Sequence, residues 1–239
     1  MLIVQITTNL IFRLYHRIRI GLILSVIPLL ILSGTASASQ ALSLDELAER
    51  IQTVYDNTAD FKAHFIQEAT IKSVERTTKE EGTVYLKKPE RMLWDYTRPS
   101  MKKLIINPNK AWLYMPDDKM VYVQDAKKIL SSKMTIRFLT GIGKLKDDFA
   151  IALPDSGPTD ATGNHVISLT PHGYEAGIKT LLITVDKDTF HIVECVFTDM
   201  YDNTTRLIFS DISFNNNPPD DLFDFTPPQG VEVYTVDGQ

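Results

Sequence analysis

Cysteine is almost missing from this chain. Cys195 stands alone among 239 residues, so no internal disulfide can form. Its setting in the alternating run FHIVECVFTD reads as a small packed strand residue rather than a reactive thiol. Histidine is sparse as well. Beyond residue 38 only His64, His165, His172 and His191 occur, none in an H-E-x-x-H or other ligand spacing, so no metal site is expected. There is no G-x-S-x-G elbow and no phosphate-binding loop. Gly141-Ile142-Gly143 lacks both the third glycine and the preceding strand of a dinucleotide fingerprint. The acid pairs Asp117-Asp118, Asp147-Asp148 and Asp220-Asp221 are sequence neighbours, which on a strand point to opposite faces, so solvated turns explain them better than a two-carboxylate site. The expectation is a protein without catalytic machinery and without a cofactor.

Basic residues are in deficit, with 25 Lys and Arg against 30 Asp and Glu. Arg13, Arg17 and Arg19 all lie in the first 38 residues, which contain no acid. The 22 basic residues that follow face all 30 acids, a net charge of −8. That balance disfavours nucleic acid or an anionic membrane as the main partner. A long apolar run is absent too. Ile20 to Leu32 is 13 residues, interrupted by Gly21, Ser25 and Pro28, where a membrane span needs about 20. A basic start, a short apolar run, and small residues ending in Ala36-Ser37-Ala38 together make the pattern of a secretory signal peptide. Residues 1–38 are expected to be removed. Residues 39–239 are expected to form a single domain, since no linker, repeat or low-complexity tract divides them.

What is present is one clear helix and many short strands. Ser43 and Glu46 have capping-box spacing, and Leu44, Leu47, Ala48, Ile51, Val54 and Tyr55 recur at helical intervals after them. Strand-like runs then alternate with turn signals such as Asn107-Pro108-Asn109 and Pro116-Asp117-Asp118. A stretch around Leu130, Met134, Phe138 and Leu139 switches to helical spacing and ends at Gly141 and Gly143, after which strands resume. The class is mainly β with some α (α+β), a strongly curved antiparallel sheet with helices on one side.

Several strands offer bulk along one face: Phe61 and Phe65; Val84 and Leu86; Met92, Trp94 and Tyr96; Trp112 and Tyr114. Two readings fit this pattern. One is a plain core under the helices; the other is a pocket lined by that face and covered by them.

These residues also fall into an ordered set of motifs. F-x-A-x-F-x-Q spans Phe61 to Gln67, G-x-V-x-L-K-K-P spans Gly82 to Pro89, and W-x-Y-x-x-P spans Trp94 to Pro99. W-L-Y-x-P, F-L-T-G and F-x-F-x-P-P-x-G-V-x-V follow at Trp112, Phe138 and Phe223. In this order, and behind an export signal, the chain resembles the LolA family of periplasmic lipoprotein carriers. The resemblance implies an incomplete, half-open β-barrel with a lid of short helices over a hydrophobic cavity. The cargo it implies is acylated lipoprotein, received from an inner-membrane ABC-type release transporter and passed to an outer-membrane acceptor by a monomeric carrier in the periplasm. The nine face residues above would line the acyl-chain cavity, and Met134, Ile136, Phe138 and Leu139 would sit in the lid. The family commonly has an arginine before the proline that latches the lid to backbone carbonyls. Here Lys88 stands there, sharing a face with Val84 and Leu86, and a lysine offers a flexible point charge in place of a planar fork.

Three other classes remain open at the level of sequence. A relative could carry or sense another lipid or glycolipid. An exported hydrolase would need an orphan pair such as Asp95 with His64. A purely structural module would bind no apolar ligand. The leader gives the first prediction: intact-mass analysis of the protein recovered after export in a Gram-negative host should give a chain beginning at Ser39, and retention of residues 1–38 would refute removal of the leader.

Overall fold

Ser43 and Glu46 start the first helix as their spacing requires. The Glu46 amide donates to Ser43 Oγ at 3.2 Å, and the Ser43 amide donates back to Glu46 Oε2 at 2.9 Å. In the computed structural model, which describes residues 42–127, 144–173 and 178–236, this helix, α1, covers Leu44–Asn57 and buries Leu47, Ala48 and Ile51. The described residues all lie in the unit from Ala41 to Gln239. Residues 128–143, with Met134, Ile136, Phe138 and Leu139, lie outside them.

Twelve strands follow: β1 (Asp60–Ile71), β2 (Arg76–Lys87), β3 (Arg91–Arg98), β4 (Lys102–Ile106), β5 (Lys110–Met115), β6 (Met120–Asp125), β7 (Phe149–Ala152), β8 (His165–Pro171), β9 (Ile178–Val185), β10 (Ile192–Asp199), β11 (Thr204–Phe214) and β12 (Glu232–Thr235). A short helix α2, Leu145–Asp148, precedes β7. The strands form one sheet in the order β12-β6-β5-β4-β3-β2-β1-β11-β10-β9-β8-β7. Two meanders, β1 to β6 and β7 to β11, are joined side by side through the antiparallel pair β1–β11. The outer strands β12 and β7 do not pair with each other, so the barrel is open.

One connection departs from an all-antiparallel reading. β12 lies parallel to β6, with Val233 opposite Val121. After β11 the chain does not turn back on itself. It crosses the rear of the sheet through a 3-10 turn, Asp220–Phe223, and reaches the far edge from the other side. Phe223 is fully buried there against Leu93, Ile105 and Trp112. This crossing segment gives the sheet two apolar faces around β3 to β5, where a core on one side was expected. It also accounts for the consecutive burial of Met92, Leu93 and Trp94, since strands covered on both faces lose their alternation.

The concave face holds the larger core. Leu47 and Ile51 of α1 pack there with Phe65, Val84, Met92, Trp94, Ile106, Leu169, Ile183 and Phe209. Cross-strand partners share a face, and the register decides which residues belong to it. Met92 and Trp94 pair with Ile106 and Leu104, which pair with Ala111 and Leu113. Trp112 is opposite Ile105, and Tyr114 opposite Lys103. Trp112 and Tyr114 therefore point to the rear, where Phe225 packs on both at ring-centroid distances of 6.2 and 5.1 Å. The expectation that they share a face with Met92, Trp94 and Tyr96 is corrected by this register.

Gly82 explains the first letter of the G-x-V-x-L-K-K-P motif. A Cβ placed on it would lie 2.0 Å from the Asp95 carbonyl oxygen, at a register shift between β2 and β3. Backbone on both sides leaves nothing to yield. Gly82→Ala should lower stability by about 1–3 kcal/mol, the range for overpacking a tight site. An unchanged urea midpoint would mean the strands separate there at no cost.

Candidate functional site

The concave face opens at the end where β1 begins and β2 ends. A pocket lies there under the last turn of α1, walled by Phe61, Val84, Leu86, Trp94, Ile192, Phe209 and Phe214, with Tyr55, Lys88 and His191 at its rim. Its free volume is about 60 Å³. That admits about two water-sized groups and is far below the roughly 300–1,000 Å³ of an ordinary small-molecule pocket. The site is thus narrow, and α1 lies across one side of it.

The walls are mostly aromatic. Phe65 meets Trp94 edge-on at 4.7 Å and Tyr96 at 5.0 Å. Phe61 meets Phe209 at 5.6 Å and Phe214 at 5.5 Å. His191 stacks on Phe214 with centroids 3.6 Å apart. Burial lowers the His191 pKa, with Asp186 opposing, which favours the neutral ring at pH 7. Asp60 is buried at the rim, but its carboxylate accepts the amides of Asn216 and Asn217, both at 2.8 Å.

Lys88 ties this wall to the helix. Its Nζ donates to the carbonyl oxygen of Tyr55. Helix α1 has no basic residue in its last turn, and the lysine supplies from the sheet the cation that a helix C-terminus favours. Burial lowers the Lys88 pKa; Asp56 opposes that shift and Lys144 adds to it. Other contacts hold α1 along its length. The Leu145 amide donates to Gln52 Oε1 at 2.9 Å, Lys144 pairs with Asp56 at 3.1 Å, and Lys146 pairs with Glu49 at 3.0 Å. These last pairs are solvent-exposed and contribute little singly.

Of the residues singled out from sequence, Phe61, Val84, Leu86, Trp94 and Lys88 line the pocket. Phe65 and Met92 lie fully buried beneath it. Tyr96 stacks on Trp94 and donates its hydroxyl to Gln67 Oε1 at 3.1 Å, on the side away from the opening. Trp112 and Tyr114 are behind the sheet. Tyr55, His191, Ile192, Phe209 and Phe214 were missed. Four of these come from β10, β11 and the turn before β10, brought beside β1 by a pairing between residues some 150 positions apart, such as Phe61 with Phe214. The alternation of Leu207 and Phe209 in β11 signals a buried face, but nothing local says what it faces.

The orphan pair needed for hydrolysis is not assembled. His64 and Asp95 lie two strands apart with Thr83 between them, and Asp95 is held by Lys103 at 2.9 Å. Burial raises the pKa of the Cys195 thiol, which keeps it protonated. Among the described residues no cluster of three metal-ligating side chains occurs.

The family model described as "Outer membrane lipoprotein carrier protein LolA" matches residues 56–226. A protein of Methylococcus capsulatus named outer-membrane lipoprotein carrier protein is 28% identical over 197 residues, covering 82% of this chain and 90% of that protein. One of the same name from Methylibium petroleiphilum is 29% identical over 190 residues, 78% of this chain and 89% of that protein. Among solved structures, an uncharacterized conserved protein from Thermus thermophilus superposes with a TM-score of 0.51 at 11% identity, covering 82% of this chain and all of that one. That likeness concerns the fold alone.

The Lys88 contact can be tested without a ligand. In Lys88→Met the Tyr55 carbonyl loses a charged donor, a contact of about 1.5–3 kcal/mol. Hydrogen exchange at the last turn of α1, residues 54–57, should then speed roughly tenfold, and Lys88→Arg should restore protection. Equal exchange in Lys88→Met and the unmodified protein would remove Lys88 as the tie.

Proposed function

The chain belongs to the LolA family of outer membrane lipoprotein carrier proteins, and from that premise we propose that it takes up lipoproteins released from the inner membrane, shelters their acyl chains in the concave pocket, and delivers them to an outer-membrane acceptor. The observation that carries this reading is the pocket itself. It is aromatic and aliphatic, it is narrow in the empty protein, and a half-buried lysine at its rim ties it to a helix end. No step of such a cycle makes or breaks a covalent bond, so the protein acts as a carrier and not as an enzyme.

The energetics define what the pocket must do. A buried methylene is worth about 0.8 kcal/mol, so exposing a chain of ~14 carbons to water costs on the order of 10 kcal/mol. Lipoprotein therefore stays in its membrane unless an apolar receptacle comes to it. In this reading an inner-membrane ABC-type transporter supplies the work of extraction, and α1 swings out as the chain enters. Phe61, Val84, Leu86 and Trp94 make the first contacts, and Phe65 and Met92 become the floor. The open state breaks the Lys88 tie and exposes apolar wall. Its tendency to reclose lowers affinity for the chain, and the acceptor can then compete for it. The leader read from residues 1–38 would place this cycle in the periplasm, with the carrier acting as a monomer.

A release assay tests the reading. Spheroplasts carrying labelled lipoprotein, incubated with residues 39–239, should yield a soluble one-to-one complex. Leu86→Lys should reduce its yield at least tenfold by placing a charge in the wall, and Lys88→Leu should weaken closure and slow transfer to the acceptor. No complex, with phospholipid or glycolipid copurifying in the pocket instead, would move the function to another lipid cargo.

A further inference from the structure

Apolar side chains crowd one end of the sheet, opposite the pocket. Ile71 is 48% exposed and Val74 64%, at the tip of the β1–β2 hairpin; Met200 is 49% exposed and Tyr201 83%, at the tip of the β10–β11 hairpin. The two tips are neighbours. Thr70 pairs with Thr204, and the Lys72 amide donates to Asn203 Oδ1 at 2.9 Å. They are also fixed in shape. Asp199 Oδ1 accepts the Tyr201 and Asn203 amides at 2.8 Å each, and Glu75 and Asp202 take left-handed backbone conformations that complete the turns. Nothing in this bracing uses the side chains of Val74 or Tyr201. The loops hold them outward, and residues 71–79 are exposed throughout.

The charges at this end are divided between the tips. Ile71 to Lys79 carries Lys72, Arg76 and Lys79 against Glu75, whereas the adjoining tip carries Asp199, which accepts backbone amides, and Asp202, which is paired with Lys179 at 2.7 Å. Lys79 pairs loosely with Glu68 at 3.8 Å, while Lys72 and Arg76 make no ion pair among the described residues. Cations beside exposed aliphatic and tyrosine side chains are the composition of a surface that sits at a lipid headgroup layer. The shape agrees. Apolar groups on two convex tips fit into a fluid surface, where a folded protein partner would more often be met by a groove or a flat patch.

We propose that the adjoining β1–β2 and β10–β11 hairpin tips dock this protein on a lipid bilayer with anionic headgroups, inserting Val74 and Tyr201 shallowly while Lys72 and Arg76 meet phosphates. The pocket rim lies ten residues back along β1, roughly 33 Å for an extended strand. Docking by the tips therefore leaves the pocket mouth free for a protein that gives or takes cargo. The interaction is weak and salt-sensitive, because few residues take part and the charged ones are exposed.

Co-sedimentation with vesicles tests it. The chain from Ser39, which contains every described element, should bind phosphatidylglycerol–phosphatidylethanolamine vesicles at low salt and be released as salt rises. Val74→Glu with Tyr201→Glu should reduce the bound fraction at least tenfold, and Val74→Ser with Tyr201→Ser about threefold, with thermal unfolding and apolar-probe binding in the pocket unchanged. Lys72→Glu with Arg76→Glu should abolish the preference for these vesicles over phosphatidylcholine. Absence of vesicle binding by the unmodified chain, or binding that survives the paired Glu substitutions at the tips, would overturn the proposal. So would a tip variant that slows transfer between purified proteins in lipid-free solution while vesicle binding is absent, for the tips would then dock a protein.

Discussion

The pairing of β1 with β11 is the constraint from which the rest follows. It joins strands that begin 144 residues apart, Asp60 and Thr204, and turns two separate meanders into one sheet. The pocket exists only because Phe61 and Leu86 on one meander face Phe209, Phe214 and His191 on the other. The same ladder, read to its other end, brings the tips at Ile71 and Tyr201 together. A slip of one residue along it would turn Phe61, Ala63 and Phe65 outward and empty the core. The bulge between Lys62 and His64 falls beside the pocket, where irregular pairing re-aims side chains at little cost to the ladder beyond it.

Against that rigid frame, α1 is held by contacts of modest strength. Its inner face buries Leu47 and Ile51, but its outer pairs with Lys144 and Lys146 are solvated. At its C-terminus one lysine substitutes for the basic residue the helix lacks. A guanidinium in that place could bind several carbonyls in fixed geometry, whereas an ammonium on a flexible stem acts as a point charge with no fixed fork. A carrier needs its cover to be neither permanent nor absent. A single charge-assisted bond at the helix end, set beside an aromatic wall that would otherwise be wet, lies in that range.

Much of this was legible from residues alone, and the parts that were not have physical reasons. The capping box at Ser43 and Glu46, the alternation of Phe61, Ala63 and Phe65, and the inward place of Lys88 depend on neighbours within a few positions. The motif glycine at Gly82 was visible, though its cause, contact with the Asp95 carbonyl, required the strand opposite. Trp112 and Tyr114 were assigned to the wrong face because alternation fixes faces within a strand, not between strands. The turn at Asn107 decides whether Ala111 or Trp112 meets Ile106. His191, Phe209 and Phe214 escaped because long-range pairing leaves no periodic trace. The parallel edge strand escaped because a crossing behind the sheet looks, in sequence, like any proline-rich tail.

That crossing segment separates two properties usually carried together. Every strand around the pocket is complete by Phe214, yet the rear of β3 to β5 still presents Leu93, Ile105 and Trp112, which among the described residues are packed by Phe223, Leu222 and Phe225 of the crossing segment. A chain ending before Phe223 would keep its binding wall and lose its cover behind, leaving a bare apolar patch of the kind that drives self-association. The rear cover is therefore carried by the segment around Asp220–Phe223, and the pocket wall by what comes before it.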